Sequence, residues 1–239
     1  MDRAGTTLER VTRSGVMRVG FEGAYPPFNF LNEKKQFDGF DVAIAHEIAR
    51  RLGVRAEFVA TQFEALIGGL NVDKWDIVIA QMSITDKRKQ QVDFTDPYVV
   101  TGGVIIVRDD ESGFTTLADL KGKRVGAGSG TTFEEVATRA GAQVTTYKSV
   151  NQYVQDLEVK RLDAIVNDRL TMGYLIKSKN LPIKISSTDL VSRDVIGMAV
   201  KKSNPEFVAA VNKALEGMKR DGAYNAIYRK WFGIEPAPF

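Results

Sequence analysis

The sequence predicts an α/β protein made of two doubly wound α/β lobes that are joined by a two-strand hinge. Three observations predict this fold: strand and helix patterns alternate along the chain, a ten-residue pattern occurs twice, and two long extended runs separate the halves. Alternation of strands with helices is typical of mostly parallel sheets covered by helices on both faces. The predicted boundaries assign residues 1–101 and 197–239 to lobe 1 and residues 102–196 to lobe 2.

The predicted elements of the first lobe follow the order strand, helix, strand, helix, strand. Residues 16–22 read as a strand, and residues 41–53 repeat apolar side chains at helical spacing, with Gly53 where a helix C-cap belongs. The runs AEFVAT, FEALIGGL and DIVIAQM then continue as a strand, a helix and a strand.

The second lobe continues the same alternation. Strands are predicted at KRVGAG, QVTTY and DAIVND, and helices at TTFEEVATRAG, SVNQYVQDLEVKRL and RLTMGYLIKSK. Two terminal helices, Pro205–Arg220 and Ala223–Phe232, close the chain.

An internal repeat supports two similar lobes. LNVDKWDIVI at 70–79 and LEVKRLDAIV at 157–166 share their pattern, so that Asp76 corresponds to Asp163 and Gln81 to Asp168. Gln81 and Asp168 would then both follow a parallel strand, where open α/β sheets bind ligands. Chance similarity of two turns between helix and strand is the alternative.

Extended runs at 96–108 and 192–202 are candidates for the hinge, and Gly102 and Gly103 in the first run favour backbone rotation. The alternative is that both runs are ordinary sheet strands.

Composition excludes several classes of function. The chain has 33 Lys and Arg against 30 Asp and Glu, spread as short pairs, which does not indicate a nucleic-acid-binding groove. It has no Cys, and its acidic turn at 109–111 lacks the spacing of a calcium loop, so we expect neither metal nor cofactor. The longest stretch without charge has eleven residues, too few for a membrane span. No secretion signal is recognised, so we expect that one has been removed.

Polar residues cluster at predicted strand ends and helix starts. The glycine-rich turn at 126–135 opens a helix, where Thr132 and Glu135 fit a capping box and free N–H groups favour an anion. Arg88 lies in a helix that Thr85 or Asp86 can cap, and its guanidinium would bind a carboxylate bidentately, with a further hydrogen bond from Ser83. An ordinary turn and a solvated arginine are the alternatives.

Aromatic and acidic side chains also follow the strands. Tyr25 and Phe63 could sandwich an apolar stem or cover a cation, and core or rim packing is the alternative for either ring. Glu22 and Asp168 could accept an ammonium group, and a helix cap is the competing interpretation for Asp168. His46 is interpreted as a solvated residue.

Six motifs together resemble the polar amino-acid-binding proteins of bacterial ABC importers. They are VGFEGAYPPFNF, FDGFDVAIAHEIARRLG, MSITDKRKQQVDFTDPY, LKGKRVGAGSGTT, LDAIVND and KRDGAYNAIYRKWFG, which cover nearly the whole chain. The resemblance implies the type II fold of periplasmic binding proteins, a monomer that closes over one amino acid, and docking on a transporter permease. It also implies a periplasmic location, or an extracellular one with a lipid anchor.

The resemblance assigns roles to individual residues. It implies that Arg88, with Ser83, Thr131 and Thr132, binds the ligand's α-carboxylate, that Asp168 accepts its ammonium, and that Tyr25 and Phe63 wall its side chain. Gln81, Glu22, Asn167 and Phe133 depart from the commonest pattern of the family. Their combination resembles the cystine-binding subgroup, so cystine or a neutral amino acid such as glutamine ranks first, and a cationic ligand facing Glu22 stays open. The full predicted set is Glu22, Tyr25, Phe63, Gln81, Met82, Ser83, Arg88, Thr131, Thr132, Phe133, Asn167 and Asp168.

Two other classes of function remain. Cyclohexadienyl dehydratases resemble the same family, but they use a glutamate as general acid where this chain has Thr171, and a hydroxyl is a poor proton donor near neutrality. An amino-acid sensor module is the other alternative.

Overall fold

A computed structural model describes residues 5–236, and these divide into two compact units. Unit 1 takes the described residues of Met1–Gly23, Phe28–Val100 and Val195–Phe239, and unit 2 takes Ala24–Pro27 and Thr101–Asp194. The sequence-based boundaries lie one and two residues further along the two crossing strands, and they leave 24–27 in lobe 1. The structure groups this segment with unit 2 because Tyr25 packs against the core of that unit.

The chain contains nine α-helices and thirteen strands among its described residues, and two short 3-10 helices at Phe63–Ala65 and Leu117–Leu120. In chain order they are α1 (Thr7–Ser14), β1 (Val16–Phe21), β2 (Phe30–Leu31), β3 (Phe37–Asp38), α2 (Phe40–Arg51), β4 (Arg55–Ala60), α3 (Leu66–Asn71), β5 (Ile77–Val78), α4 (Asp86–Lys89), β6 (Val92–Phe94), β7 (Val99–Arg108), β8 (Arg124–Gly128), α5 (Thr132–Arg139), β9 (Gln143–Tyr147), α6 (Val150–Glu158), β10 (Ala164–Asp168), α7 (Arg169–Lys179), β11 (Ile183–Ile185), β12 (Ser192–Ile196), β13 (Ala199–Lys201), α8 (Pro205–Arg220) and α9 (Ala223–Phe232).

The main sheet of unit 1 has the strand order β4-β1-β5-β13-β6. Strands β4, β1 and β5 are parallel, whereas β13 runs antiparallel to β5 and β6. The carboxyl ends of the three parallel strands therefore share one edge of the sheet, where ligands bind in open α/β sheets.

The core of unit 1 covers both faces of this sheet. Phe21, Leu66, Leu70 and Val78 belong to one buried cluster with Trp75. The indole of Trp75 fits because Gly20 and Gly69 lack a Cβ, which at Gly69 would lie 2.2 Å from the ring. A second, aromatic cluster joins α2 to α9, with Phe40 in ring contact with Tyr98, Tyr224, Tyr228 and Phe232.

The main sheet of unit 2 has the order β11-β7-β10-β8-β9, with β12 paired to β7. Along β7 the side chains alternate between two cores: Val104 and Ile106 face the cluster that holds α6 and α7, and Ile105 and Val107 face the cluster that holds α5. Helices thus cover both faces, which confirms the doubly wound α/β prediction. The prediction of mostly parallel sheets needs a correction, because the crossing strand β7 is antiparallel to β10.

Every helix that the sequence predicts is present, and one further α-helix among the described residues was not predicted. The structure confirms both terminal helices at their predicted bounds, but the sequence reading missed α1, whose eight residues hold a capping box between Thr6 and Glu9. The extended run at 192–202 is broken into β12 and β13 by Gly197 and Met198. No helix within residues 5–236 combines the length and the apolar character needed to cross a membrane.

Candidate ligand-binding half-sites

Four predicted site residues of unit 1 lie just beyond the carboxyl ends of its parallel strands. Glu22 follows β1, Phe63 follows β4 by two intervening residues, and Gln81 and Ser83 follow β5. The pairing of Phe21 with Ala60 and of Gly20 with Val78 puts these ends at one edge. The sequence therefore places aromatic, amide, hydroxyl and acidic groups together on one half-site, which we call half-site 1.

Arg88 also belongs to half-site 1. Thr85 caps the short helix α4 by accepting a hydrogen bond from the backbone N–H of Arg88, as the sequence predicts for one of its two candidate caps. The guanidinium donates from Nη1 to the carbonyl of Ser83 at 2.8 Å and lies 5.4 Å from the ring centroid of Phe63. These contacts hold it next to the end of β5. A guanidinium carries five N–H donors in a planar fork, a geometry that matches a carboxylate.

Glu22 is the acidic member of half-site 1. No hydrogen bond or ion pair joins its carboxyl group to another residue of 5–236. Burial, with a smaller contribution from the charge of Glu64, raises the pKa of Glu22 from 4.5 to about 7. A group of this kind gains a strong interaction when a cation arrives beside it.

Gln81 is held by a buried polar network instead of projecting freely. Its backbone has φ of 54°, in the left-handed region that is uncommon for residues other than glycine. Its side-chain Nε2 donates to Asp41 Oδ1 at 2.7 Å and to the hydroxyl of Tyr98 at 3.2 Å. Its Oε1 is buried and accepts no hydrogen bond from the described residues.

Met82 differs from its neighbours because its side chain is 1% exposed and packs in the core cluster of unit 1. Its carbonyl accepts a hydrogen bond from Gly197. Its side chain therefore points into the core of unit 1. The side chain of Met82 stabilises the segment after β5 by packing in this core cluster.

Asp168 is the central acid of unit 2, at the end of β10 and the N-cap of α7. Its Oδ1 accepts the backbone N–H groups of Leu170 and Thr171, and its Oδ2 accepts the hydroxyl of Thr101 at 2.6 Å. Burial raises the pKa of Asp168 to about 6, and these three donors oppose the shift. The structure therefore confirms that Asp168 caps α7, an interpretation that the sequence left open. The carboxylate is held by the start of α7 on one side and by Thr101 of β7 on the other.

Tyr25 and Asn167 form a pair next to Asp168. The hydroxyl of Tyr25 donates to Asn167 Oδ1 at 3.0 Å, and Asn167 Nδ2 lies 3.5 Å from the sulfur of Met172. Asn167 is buried, with 2% of its surface exposed, and its amide oxygen holds the hydroxyl of Tyr25 in place. With Asp168 and the turn at 128–132, these residues make half-site 2.

The glycine-rich turn before α5 is capped one residue earlier than the sequence suggests. Thr131, not Thr132, is the N-cap: its Oγ1 accepts from the backbone N–H of Glu134, and Gly130 donates to the Glu134 carboxylate. The hydroxyl of Thr132 instead donates to Asp194 Oδ1 at 2.9 Å. Both hydroxyl groups thus have partners within unit 2.

Phe133 belongs to the core of unit 2 and is 8% exposed. Its ring lies close to Gly103, where an added Cβ would approach it to 3.2 Å. The close packing of α5 against β7 accounts for the burial of the Phe133 ring.

Sequence reasoning missed the residues that hold the predicted contacts in place, namely Asp41, Tyr98, Thr101 and Asp194. A signal existed for Asp41, which precedes Ile44 by three residues and Ala45 by four, and therefore lies on the apolar face of α2. A charged residue on a buried helix face needs polar partners. Thr101 and Asp194 lie on crossing strands and carried no such signal. Residues 5–236 contain no group of three His, Cys, Asp or Glu side chains that could hold a metal ion.

Two α/β units, crossed by strands β7 and β12 and each with polar groups at its strand ends, define the class of two-lobed solute-binding proteins. Residues 17–234 match the family of bacterial extracellular solute-binding proteins, family 3, and the chain belongs to that family.

Similar proteins include binders of different amino acids. The chain is 37% identical to the L-cystine-binding protein TcyJ of Escherichia coli strain K12, over 95% of this chain and 86% of TcyJ. An ancestral arginine-binding protein bound to arginine has a TM-score of 0.86 and 42% identity, covering 92% of this chain and 99% of that one. The ancestral amino acid-binding protein AncCDT-1, described as a precursor of cyclohexadienyl dehydratase, has a TM-score of 0.89 and 34% identity, covering 95% and 100%.

Proposed function

We propose that the protein binds one polar amino acid with both half-sites and delivers it to an ABC importer. The observation that carries this proposal is charge complementarity: half-site 1 holds the Arg88 guanidinium beside Ser83, and half-site 2 holds the oriented carboxylate of Asp168. A zwitterion leaving water needs a partner for each end, because an unpaired buried charge is costly. Ser83, Arg88 and the turn at Thr131 and Thr132 contact the α-carboxylate, and Asp168 accepts the α-ammonium.

Cystine ranks first among the ligands, with glutamine as the neutral alternative. The motifs of the cystine subgroup and the similarity to the L-cystine-binding protein TcyJ support this ranking. Tyr25 and Phe63 then line the side-chain pocket, with Glu22 and Gln81 at its polar end.

Arginine is a second candidate, favoured by a specific observation. The Glu22 carboxyl group has no ion-pair partner among the described residues, and its pKa of about 7 would fall on meeting a guanidinium. The similarity to the arginine-bound ancestral protein supports the same candidate.

A dehydratase-like enzyme has less support. The side chain of Thr171 is fully buried, and its hydroxyl has no hydrogen-bond partner among the described residues. The similar protein AncCDT-1 is itself described as an amino acid-binding protein. We therefore propose a binding protein without catalytic activity, acting as a monomer in the periplasm or at the outer cell surface, where it docks on a permease.

Isothermal titration of refolded, ligand-free protein with the twenty amino acids and cystine tests the proposal. We expect micromolar or tighter binding to at least one of them, and the panel ranks cystine, glutamine and arginine directly. Arg88→Ala should weaken the binding of every amino acid about 100-fold or more, because the buried α-carboxylate of the ligand loses its charged partner.

Lys89→Ala is the matched control. Lys89 lies on the same short helix and its side chain is 58% exposed, so its removal should leave affinity unchanged. Binding of no amino acid by the wild-type protein would refute the proposed function. Normal binding by Arg88→Ala would refute the role given to Arg88.

A further inference from the structure

Gln81 lies in a bulge between two segments of unit 1 that run antiparallel. Val78 at the end of β5 pairs with Ala199, and Ser83 pairs with Ile196. The first segment therefore takes five residue steps between these two pairs and the second segment takes three, which leaves two extra residues on the first. Bulges beside a binding site can re-aim the side chains of the strand that carries them.

The backbone of Gln81 gives this bulge, residues 79–82, its left-handed turn. The φ of Gln81 is 54°, and no other residue of the bulge has a positive φ. A left-handed conformation is unfavourable for any residue with a Cβ, because the Cβ comes too close to the following carbonyl oxygen. Such a conformation persists only where the surrounding structure holds it.

The side chain of Gln81 provides this hold. Its Nε2 donates to Asp41 Oδ1 at 2.7 Å and to the Tyr98 hydroxyl at 3.2 Å, and the same hydroxyl accepts the backbone N–H of Gln81 at 3.3 Å. Asp41 is 1% exposed and is itself held by Asn29 Nδ2 at 2.8 Å, and Tyr98 is fully buried. Burial raises the pKa of Asp41 to about 6, so that it is mainly ionised at neutral pH. A hydrogen bond to an ionised carboxylate is stronger than one between neutral groups.

The bulge leads directly into the residues that hold Arg88. Backbone hydrogen bonds on either side of Ser83 join the chain to 195–197 as soon as the bulge ends. Between these bonds, the carbonyl of Ser83 accepts Arg88 Nη1 at 2.8 Å. The conformation of Gln81 therefore sets where the Ser83 carbonyl lies, and that carbonyl holds the guanidinium.

We propose that Gln81 is a positioning residue for the ligand's α-carboxylate: its anchored amide holds the bulge, and the bulge sets Ser83 and Arg88 in the orientation that binds the carboxylate. The inference rests on the proposed function, in which Ser83 and Arg88 bind that group. The amide of Gln81 belongs to the protein interior, because Asp41 and Tyr98 occupy its Nε2 and its Oε1 is buried. Gln81 borders the side-chain pocket with its backbone, and it affects the affinity for all amino acids more than the choice among them.

Calorimetric titration with an amino acid and with its α-carboxamide tests the proposal. The amino acid is the tightest binder of the panel, for which L-cystine, L-glutamine and L-arginine are the candidates, and the amide of cystine is the diamide. The carboxamide lacks the negative charge that Arg88 binds, so the ratio of the two Kd values measures how well the carboxylate is held. We expect a wild-type ratio of roughly 100-fold or more in favour of the amino acid.

Gln81→Met should reduce this ratio about 10-fold, because methionine has a similar length but cannot donate to the two anchors, and its Cβ disfavours a positive φ. Gln81→Gly should keep the ratio within about 3-fold of wild type, since glycine adopts a positive φ without an anchor. An amide that contacts the ligand would be lost equally in both variants. A wild-type ratio in Gln81→Met overturns the proposal, and so does a ratio in Gln81→Gly that is no higher than in Gln81→Met.

Ser203→Met is the matched control. Ser203 has a φ of 66° on the turn between β13 and α8, so this variant places the same side chain on another left-handed residue of unit 1. It should lower stability and leave the Kd ratio unchanged. The comparison separates positioning of the carboxylate site from a general loss of stability.

Tyr98→Phe decides the matter if Gln81→Met does not fold. It keeps the ring but removes the hydroxyl that accepts both the amide and the backbone N–H of Gln81, so the ratio should fall about 3-fold or more. An unchanged ratio in Tyr98→Phe then overturns the proposal. Failure of every amino acid to bind the wild-type protein refutes the proposed function itself, whereas wild-type discrimination that persists in the variants refutes only this inference.

Discussion

The carboxyl group of Glu22 shows how one side chain links the stability of the fold to pH. Its folded pKa of about 7 lies above the ordinary 4.5 because it is buried near Glu64. A raised carboxyl pKa means that the folded state holds the proton more tightly than the unfolded chain. The stability that this proton provides is complete below pH 4.5 and is lost as the pH rises through 7.

Glu22→Gln should therefore stabilise the ligand-free protein more at pH 7 than at pH 5. Glutamine has the same shape and never ionises, so the gain should grow by about 1–2 kcal/mol between these pH values. Urea unfolding of both proteins at the two pH values measures the change in the free energy of unfolding. An equal gain at pH 5 and pH 7 would show that Glu22 is not protonated in the folded state.

Glu47→Gln serves as the control for this measurement. Hydrogen bonds from Arg50 and Arg51 lower the pKa of Glu47 in the folded state, so that it is ionised there at both pH values, and in the unfolded chain it is mostly ionised at both. Its effect on stability should therefore be the same at pH 5 and pH 7.

At the scale of elements, the sequence predicts well which residues lie at strand ends. It predicts poorly which residues hold the side chains at those strand ends in place. Period-two and apolar runs place Glu22, Gln81 and Asp168 at carboxyl ends, because strand boundaries depend on local pattern. The partners Asp41 and Thr101 are 40 and 67 residues away from the side chains that they hold, and no local pattern encodes such a distance. The predicted site residues Met82 and Phe133 have side chains that pack in the cores, because neither adjacency in sequence nor a motif encodes which way a side chain points.

The contact between β7 and the start of α7 gives a prediction at this scale. Thr101→Val keeps the shape of the side chain but removes the hydrogen bond to Asp168, which helps to hold the pKa of that acid down to about 6. Asp168 must be ionised to accept an ammonium group, so affinity falls as the pH drops through its pKa. We expect the variant to lose affinity at a higher pH than wild type, in titrations from pH 5 to 8.

Thr95→Val is the control for Thr101→Val. Thr95 is equally buried and accepts the backbone N–H of Met198, but it belongs to unit 1 and contacts neither half-site. It should lower stability and leave the pH profile of binding in place. Coincident profiles for Thr101→Val and wild type would contradict the role given to Thr101.

At the scale of the whole molecule, the internal repeat is present in the side-chain contacts. In unit 1 Asp76 accepts the backbone N–H and the guanidinium of Arg18 on β1, and in unit 2 Asp163 accepts the same groups of Arg124 on β8. Both acids directly precede a short buried strand that is parallel to the arginine's strand. The two matching ion-pair arrangements support the repeat as a repeat of structure. The match ends with the strands, because Asp168 is the last residue of β10 whereas Gln81 lies three residues beyond the end of β5.

The proposed function predicts that one ligand protects both units. Hydrogen exchange followed by mass spectrometry should show slower exchange at 81–88 in unit 1 and at 130–135 and 168–171 in unit 2 when the best ligand is added at 100 times its Kd. Binding at that excess stabilises the bound state by about 2.7 kcal/mol. The turns at 73–76 and 160–163 precede the strands instead of following them, and they provide the internal control because the ligand should not contact them. Protection confined to one unit would mean that the half-sites do not act on the same molecule, and the two-unit proposal would fail while amino-acid binding by a single unit stood.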